Sequence, residues 1–218
     1  MLALIRISVP DRPGVLGDVA SALGTAGADI AQIQVLQSEA GRALDDVHVQ
    51  VSSEEHLQRV QTRLESLPGV QVLGVRIGPA PTTGHSELEL VGRMLRAPGR
   101  AVQTLVDGVP ESTGSDWAAV VRYGADETAE EVVAGSPTCP GLEPSEIRVP
   151  LRLNVIDGAY AAMALVPLTG TRLGLVVVRE SGPAFHPAEL WRLEQVGAVA
   201  GNVVRSTVAS DAQLEVIS

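Results

Sequence analysis

Val9-Pro10-Asp11-Arg12-Pro13-Gly14-Val15-Leu16, with Gly27-Ala28-Asp29-Ile30 a short way downstream, decides how this chain is read. Before it, Ile5, Ile7 and Val9 alternate with Arg6 and Ser8, the period of a strand with one buried face. Pro10 and Pro13 fix φ, and Gly14 removes the side chain where the backbone turns. Val15, Leu16, Val19, Ala20 and Leu23 then recur at helical spacing until Gly24 and Gly27. Such a strand–loop–helix turn offers free N–H groups beside a helix N-terminus, a geometry that binds small polar ligands. No catalytic group accompanies it.

Working outward, Ala28 to Ser38 and Arg42 to Val51 flank the turn Glu39-Ala40-Gly41 and read as a hairpin. Ser52 with Glu55 predicts a capping box, followed by the stripe Leu57, Val60, Leu64 and Leu67, which Pro68-Gly69 stops. A strand from Val70 to Ile77 completes a βαββαβ order over residues 1–78, a ferredoxin-like α+β unit whose two helices cover one face of an antiparallel sheet. Arg6, Ser8, Gln32, Gln34, His48, Gln50 and Gln71 fall on the other face, expected to be a hydrogen-bonding surface with few full charges.

On Asp11-Arg12-Pro13-Gly14-Val15-Leu16, the helix after it, Gly27-Ala28-Asp29-Ile30 and the element order, residues 1–78 resemble the ACT domain, a small regulatory module that binds amino acids at domain interfaces. The resemblance implies a ligand site of Asp11, Arg12, Gly14, Val15, Leu16, Asp29 and Ile30. Serine-binding members usually carry amides where this chain has Asp11 and Asp29. Carboxylates attract an ammonium and repel an α-carboxylate. An amino acid would therefore set its carboxylate on the Gly14, Val15 and Leu16 N–H groups and its amine on Asp29. The competing reading is a tight turn that binds nothing.

Residues 79–85 contain Pro79, Pro81 and Gly84 and read as a linker. Beyond it the pattern predicts a helix to about Arg96, a second over Ala101 to Val109, and strands at Trp117 to Tyr123, Glu130 to Ala134, Ile147 to Leu153, Tyr160 to Leu168 and Arg172 to Arg179. Phe185-His186-Pro187 introduces a final helix through Val203, and residues 209–218 read as a flexible tail. The hairpin from Tyr160 to Arg179 with Phe185-His186-Pro187-Ala188-Glu189-Leu190 makes residues 86–208 resemble the GAF domain, an α/β sandwich of five or six antiparallel strands flanked by helices, used in small-molecule binding and dimerisation. That resemblance carries an architecture and no ligand; Trp117, Arg122 and Asn154 are the groups expected to line a GAF-like cavity.

With 218 residues and a formal charge of −10, the chain is long enough for two domains and has no cationic cluster for a phosphate backbone. Every one of its 16 basic residues is Arg, a bacterial coding bias, and aromatics are scarce, so no nucleic-acid partner is expected. A single cysteine, Cys139, excludes an internal disulfide and fits a reducing compartment. The chain enters a strand at once and has no long apolar run, so a cytoplasmic protein with no membrane partner is expected. His48 and His56 read as polar-surface histidines, Glu54-Glu55 as helix-start charges and Asp45-Asp46 as strand neighbours on opposite faces. No metal site, cofactor or catalytic residue is expected. The sum is a non-catalytic bacterial regulator, a homodimer or higher homo-oligomer sensing a small metabolite, with an amino acid the expected ligand. The first alternative is a ligand-free dimerisation scaffold for a protein partner. The second is an enzyme using Cys139 or the Asp pairs, which lacks the nucleophile–base constellation that catalysis needs.

Overall fold

A computed structural model describes residues 1–78, 86–144, 147 and 162–215. The chain forms two compact units, Met1–Ala80 with Ser181–Pro183, and Pro81–Glu180 with Ala184–Ser218. The linker read at 79–85 lies outside the described residues.

In the first unit, β1 (Leu2–Pro10), α1 (Val15–Thr25), β2 (Asp29–Glu39), β3 (Arg42–Gln50), α2 (Glu54–Glu65) and β4 (Gln71–Ile77) follow the βαββαβ order. The strands form an antiparallel sheet in the order β2-β3-β1-β4, which leaves β2 and β4 as edges. Ala3, Ile5, Ile7 and Val9 alternate onto the helix side, where with Val47 and Val49 they meet Val19, Leu23, Leu57, Val60 and Leu64 in one aliphatic core. Burying each larger side chain contributes roughly 1.5–3 kcal/mol, which is why the strand period and helix stripe decide this unit.

The turns follow local chemistry. Gly27, at φ 80°, donates to Gly24 O, and Ala28 N donates to Leu23 O at 3.0 Å, so α1 ends in a Schellman motif. Ala40 and Gly41 both have positive φ, as a two-residue type I′ hairpin turn requires. The predicted capping box is displaced by one residue: Ser53, not Ser52, is the α2 N-cap, and its hydroxyl accepts from His56 N at 3.1 Å. Two adjacent serines offer the same cap, and the packing of His56 selects the second.

In the second unit, α3 (Ser86–Arg96), a 3-10 turn (Pro98–Arg100), α4 (Ala101–Thr113), β5 (Trp117–Tyr123), β6 (Ala129–Gly135), β7 (Ala162–Leu168), β8 (Leu173–Arg179) and α5 (Pro187–Glu215) follow in order. The described strands form an antiparallel sheet, β6-β5-β8-β7. Ala118, Val120, Ala164, Val166, Leu175 and Val177 face the helices, and Trp117, Ala119, Val121, Met163, Leu165, Val176 and Val178 form a second core on the opposite face. A sheet covered on both sides reads as continuous apolar runs without alternation. Four strands are described where five or six are expected; of Ile147–Leu153 only Ile147, which is buried, is among the described residues, and Tyr160 is not. Two helices outrun their predicted ends. α4 passes through Pro110 to Thr113, where the missing amide affects only the last turn and the Ser112 and Thr113 hydroxyls both donate to Val109 O. α5 continues to Glu215, into the segment read as a tail.

Candidate functional site

The Asp11–Leu16 loop is held at the hairpin end of the first sheet. Asp11 N donates to Gly41 O at 2.9 Å, and its carboxylate accepts from Ser38 Oγ at 2.5 Å. Arg12 reaches Asp18 of α1 at 3.2 Å, an exposed pair. Gly14 is the α1 N-cap at φ 91°, and among the described residues no side chain caps the helix and an added Cβ would meet nothing within 4 Å. Among the described residues no hydrogen bond engages the N–H groups of Gly14, Leu16 or Gly17; Val15 N reaches Arg12 O at 3.4 Å, and its side chain is buried while Leu16 is exposed. The loop thus presents free amides at a helix N-terminus. Arg12 and Val15 also border an open groove of about 350 Å³ running between α1 and Arg63 of α2.

Asp29 and Ile30 lie elsewhere. Asp29 pairs with Gln50, which pairs with Leu2, so it sits level with the start of β1 while Asp11 follows its end. β1 has nine residues, which at about 3.3 Å each separates the two halves of the expected site by roughly 25 Å within one chain. Both Asp29 and Ile30 are exposed on the edge strand β2.

The sheet also carries charged groups whose importance sequence reasoning missed. Arg6 and Asp46 form a buried bidentate pair at 2.7 and 2.8 Å across β1 and β3, so the polar face holds full charges. His48, on the same face, is buried rather than on the surface, and among the described residues neither ring nitrogen has a hydrogen-bond partner. Burial pulls its pKa below the usual histidine range, and the nearby Asp46 partly opposes this. Asp45 points to the helix side beside Ile7, 1% exposed, with neither carboxyl oxygen hydrogen-bonded among the described residues. Burial, then the charges of Asp46 and Asp11, raise its pKa. His56 is also buried, correcting its reading as a surface group. Its Nε2 lies 2.8 Å from Ala26 O, an atom that only accepts, so Nε2 carries the proton and Nδ1 accepts from Ser52. His56 thereby anchors the turn that delivers Gly27 and Asp29.

In the second unit Trp117 is buried in the core opposite the helices, its Nε1 donating to Glu180 at 3.2 Å. Arg122 projects from the other face of β5, exposed and paired with Glu131 at 3.1 Å. Strand alternation keeps Trp117 and Arg122 from lining one cavity. Asn154 lies outside the described residues. Glu189 of the Phe-x-x-x-Glu-Leu stretch accepts from Arg179 at 2.5 Å and from His186 N at 2.7 Å, and Arg179 stacks over Phe185 at 4.1 Å, so that motif secures the start of α5. Cys139 is half-buried, its thiol near Pro140 O, and burial raises its pKa, which disfavours the thiolate. Among the described residues no cluster of three or more His, Cys, Asp or Glu side chains is placed to hold a metal, and no helix is long and apolar enough to cross a membrane.

Residues 2–73 match the family model of the ACT domain. Over 67 residues, 31% of this chain, the sequence is 34% identical to NAD-dependent malic enzyme 1 of Bacillus subtilis, and the match spans 15% of that enzyme. Among solved structures, the ACT domain from GTP pyrophosphokinase of Chlorobium tepidum aligns over 35% of this chain and 95% of its own, with 21% identity and a TM-score of 0.30. The GAF domain of a putative sensor histidine kinase from Pseudomonas syringae pv. tomato aligns over 60% of this chain and 90% of its own, with 9% identity and a TM-score of 0.48. The loop, the helix after it and the βαββαβ order coincide with the family match, and residues 2–73 are an ACT domain.

Proposed function

We propose that the chain is a non-catalytic regulator that binds an amino acid between the ACT domains of two copies and reports it through assembly. The observation that carries this reading is the division of the site. The Asp11–Leu16 loop is bonded to the hairpin end of β2, Asp29 lies at the other end of that strand, and β2 is a sheet edge with Ile30 and Val35 exposed along it. Pairing β2 antiparallel with β2 of a second copy about Gln34, midway between Asp29 and Glu39, brings Asp29 of one copy beside the loop of the other. The helix amides then meet the ligand carboxylate and Asp29 its ammonium. Binding across two chains favours the assembled state, so ligand and oligomer stabilise each other.

The test is a thermal-shift screen of the full chain against the twenty amino acids, purine nucleotides and cyclic nucleotides, repeated with Gly14→Ala and Asp29→Ala. At about 100 times Kd a ligand adds about 2.7 kcal/mol, a rise of several degrees for a chain of this size. A ligand-specific rise that both variants abolish supports the reading. A rise that survives both moves the site to the second unit, and no rise with any compound favours the ligand-free scaffold.

A further inference from the structure

α3 presents an apolar strip that the described residues of the second unit leave exposed. Leu88 is 72% and Leu95 59% exposed, while Leu90 and Met94 of the same helix are buried in the core. Leucines seven residues apart stand on one side of a helix, about 10 Å along its axis. Between them on that side is Gly92, where an added Cβ would meet only the tip of the Arg96 side chain, at 3.3 Å. Gly92 itself adds no side chain at the centre of the strip, and the tip of the flexible Arg96 side chain reaches over it.

The charges beside the strip share the same symmetry. Glu89 and Arg96 are exposed, seven residues apart, and among the described residues neither makes an ion pair or hydrogen bond. Glu87 instead lies 3.9 Å from Arg192 of α5. Turning the helix end for end about Gly92 superposes Leu88 on the region of Leu95 and Glu89 on that of Arg96. A surface that is its own complement under a two-fold rotation is what an isologous interface requires. We infer that this face of α3 docks on α3 of a second copy, antiparallel about an axis at Gly92, with leucine against leucine and Glu89 of each copy against Arg96 of the other. This interface belongs to the second unit and is independent of the proposed ligand site.

The experiment uses the full chain carrying Gly92→Cys with Cys139→Ser, treated with a short bis-maleimide that links the introduced thiols only where two copies meet at this point. Efficient covalent dimer formation is expected, and Leu88→Glu with Leu95→Glu should slow it about tenfold. Added separately, Glu89→Arg and Arg96→Glu each juxtapose like charges and should slow it similarly, whereas a mixture of those two chains restores opposite pairs and should recover the rate. Unchanged circular dichroism spectra of the variants show that the exposed changes leave the fold intact. Absence of cross-linking, or a rate indifferent to the leucine and charge changes, overturns the interface; loss with each charge variant but no recovery on mixing overturns its antiparallel geometry.

Discussion

At Asp45 the fold buries a carboxyl group that has no hydrogen-bond partner among the described residues. Its folded pKa lies above the ordinary 3.8, so the native state keeps a proton that the unfolded chain has already released. Stability contributed by this group is full below about pH 3.8 and is lost as pH rises through the raised value. Asp45→Leu, similar in shape and apolar, should therefore stabilise the protein at neutral pH by about 1–3 kcal/mol, with the gain shrinking toward acid. Urea midpoints for both proteins between acid and neutral pH check this; parallel curves would show that Asp45 keeps its ordinary pKa. His48 has the opposite sign. Its pKa is lowered from 6.5, so its contribution is present above that value and lost as pH falls below it. His48→Leu should flatten the acid-side decline in the same titration. Parity with Val47 and Val49 already places Asp45 inward, and that signal lies in the sequence. The burial of His48 does not, because alternation assigns a side chain to a face without saying whether that face is covered.

Among the elements, β1 and β3 are joined by hydrophobic alternation and by the Arg6–Asp46 pair, in register with each other. Removing one partner leaves a buried charge without its counter-charge, so Asp46→Leu or Arg6→Met should each cost about 3–5 kcal/mol, and the two changes together should recover most of the loss. A double-mutant cycle by denaturant unfolding measures this, and additive losses would mean the two charges act separately. Element identity was legible wherever one face alone is apolar, as in β1, α1 and α2. Boundaries were less so where two residues offer the same chemistry, as with Ser52 and Ser53, or where packing carries a helix past a proline, as at Pro110. In the second unit β5, β7 and β8 are apolar on both faces, and the pattern that assigns a strand's two faces is absent.

For the whole molecule the proposed site is shared between copies, and this has a consequence that a site within one chain would not have. Mixing equal amounts of Gly14→Ala and Asp29→Ala chains should restore binding that neither shows alone. In each mixed dimer one site inherits both defects and the other is intact, so random exchange regenerates about one site in four. Titration calorimetry on the exchanged mixture measures that fraction, and no recovery would mean that Gly14 and Asp29 do not form one site shared between copies. The sequence by itself determined the βαββαβ order, the loop at Asp11–Leu16 and the helix-and-sheet character of the second unit, because each depends on short-range periodicity and on turn residues with restricted φ. Only the tertiary structure decided that Asp11 and Asp29 stand at opposite ends of the sheet, that the polar face buries His48, and that Asp45 and His48 have no hydrogen-bond partners among the described residues. Those facts depend on strand register and on which faces are covered, and residues distant in sequence set both.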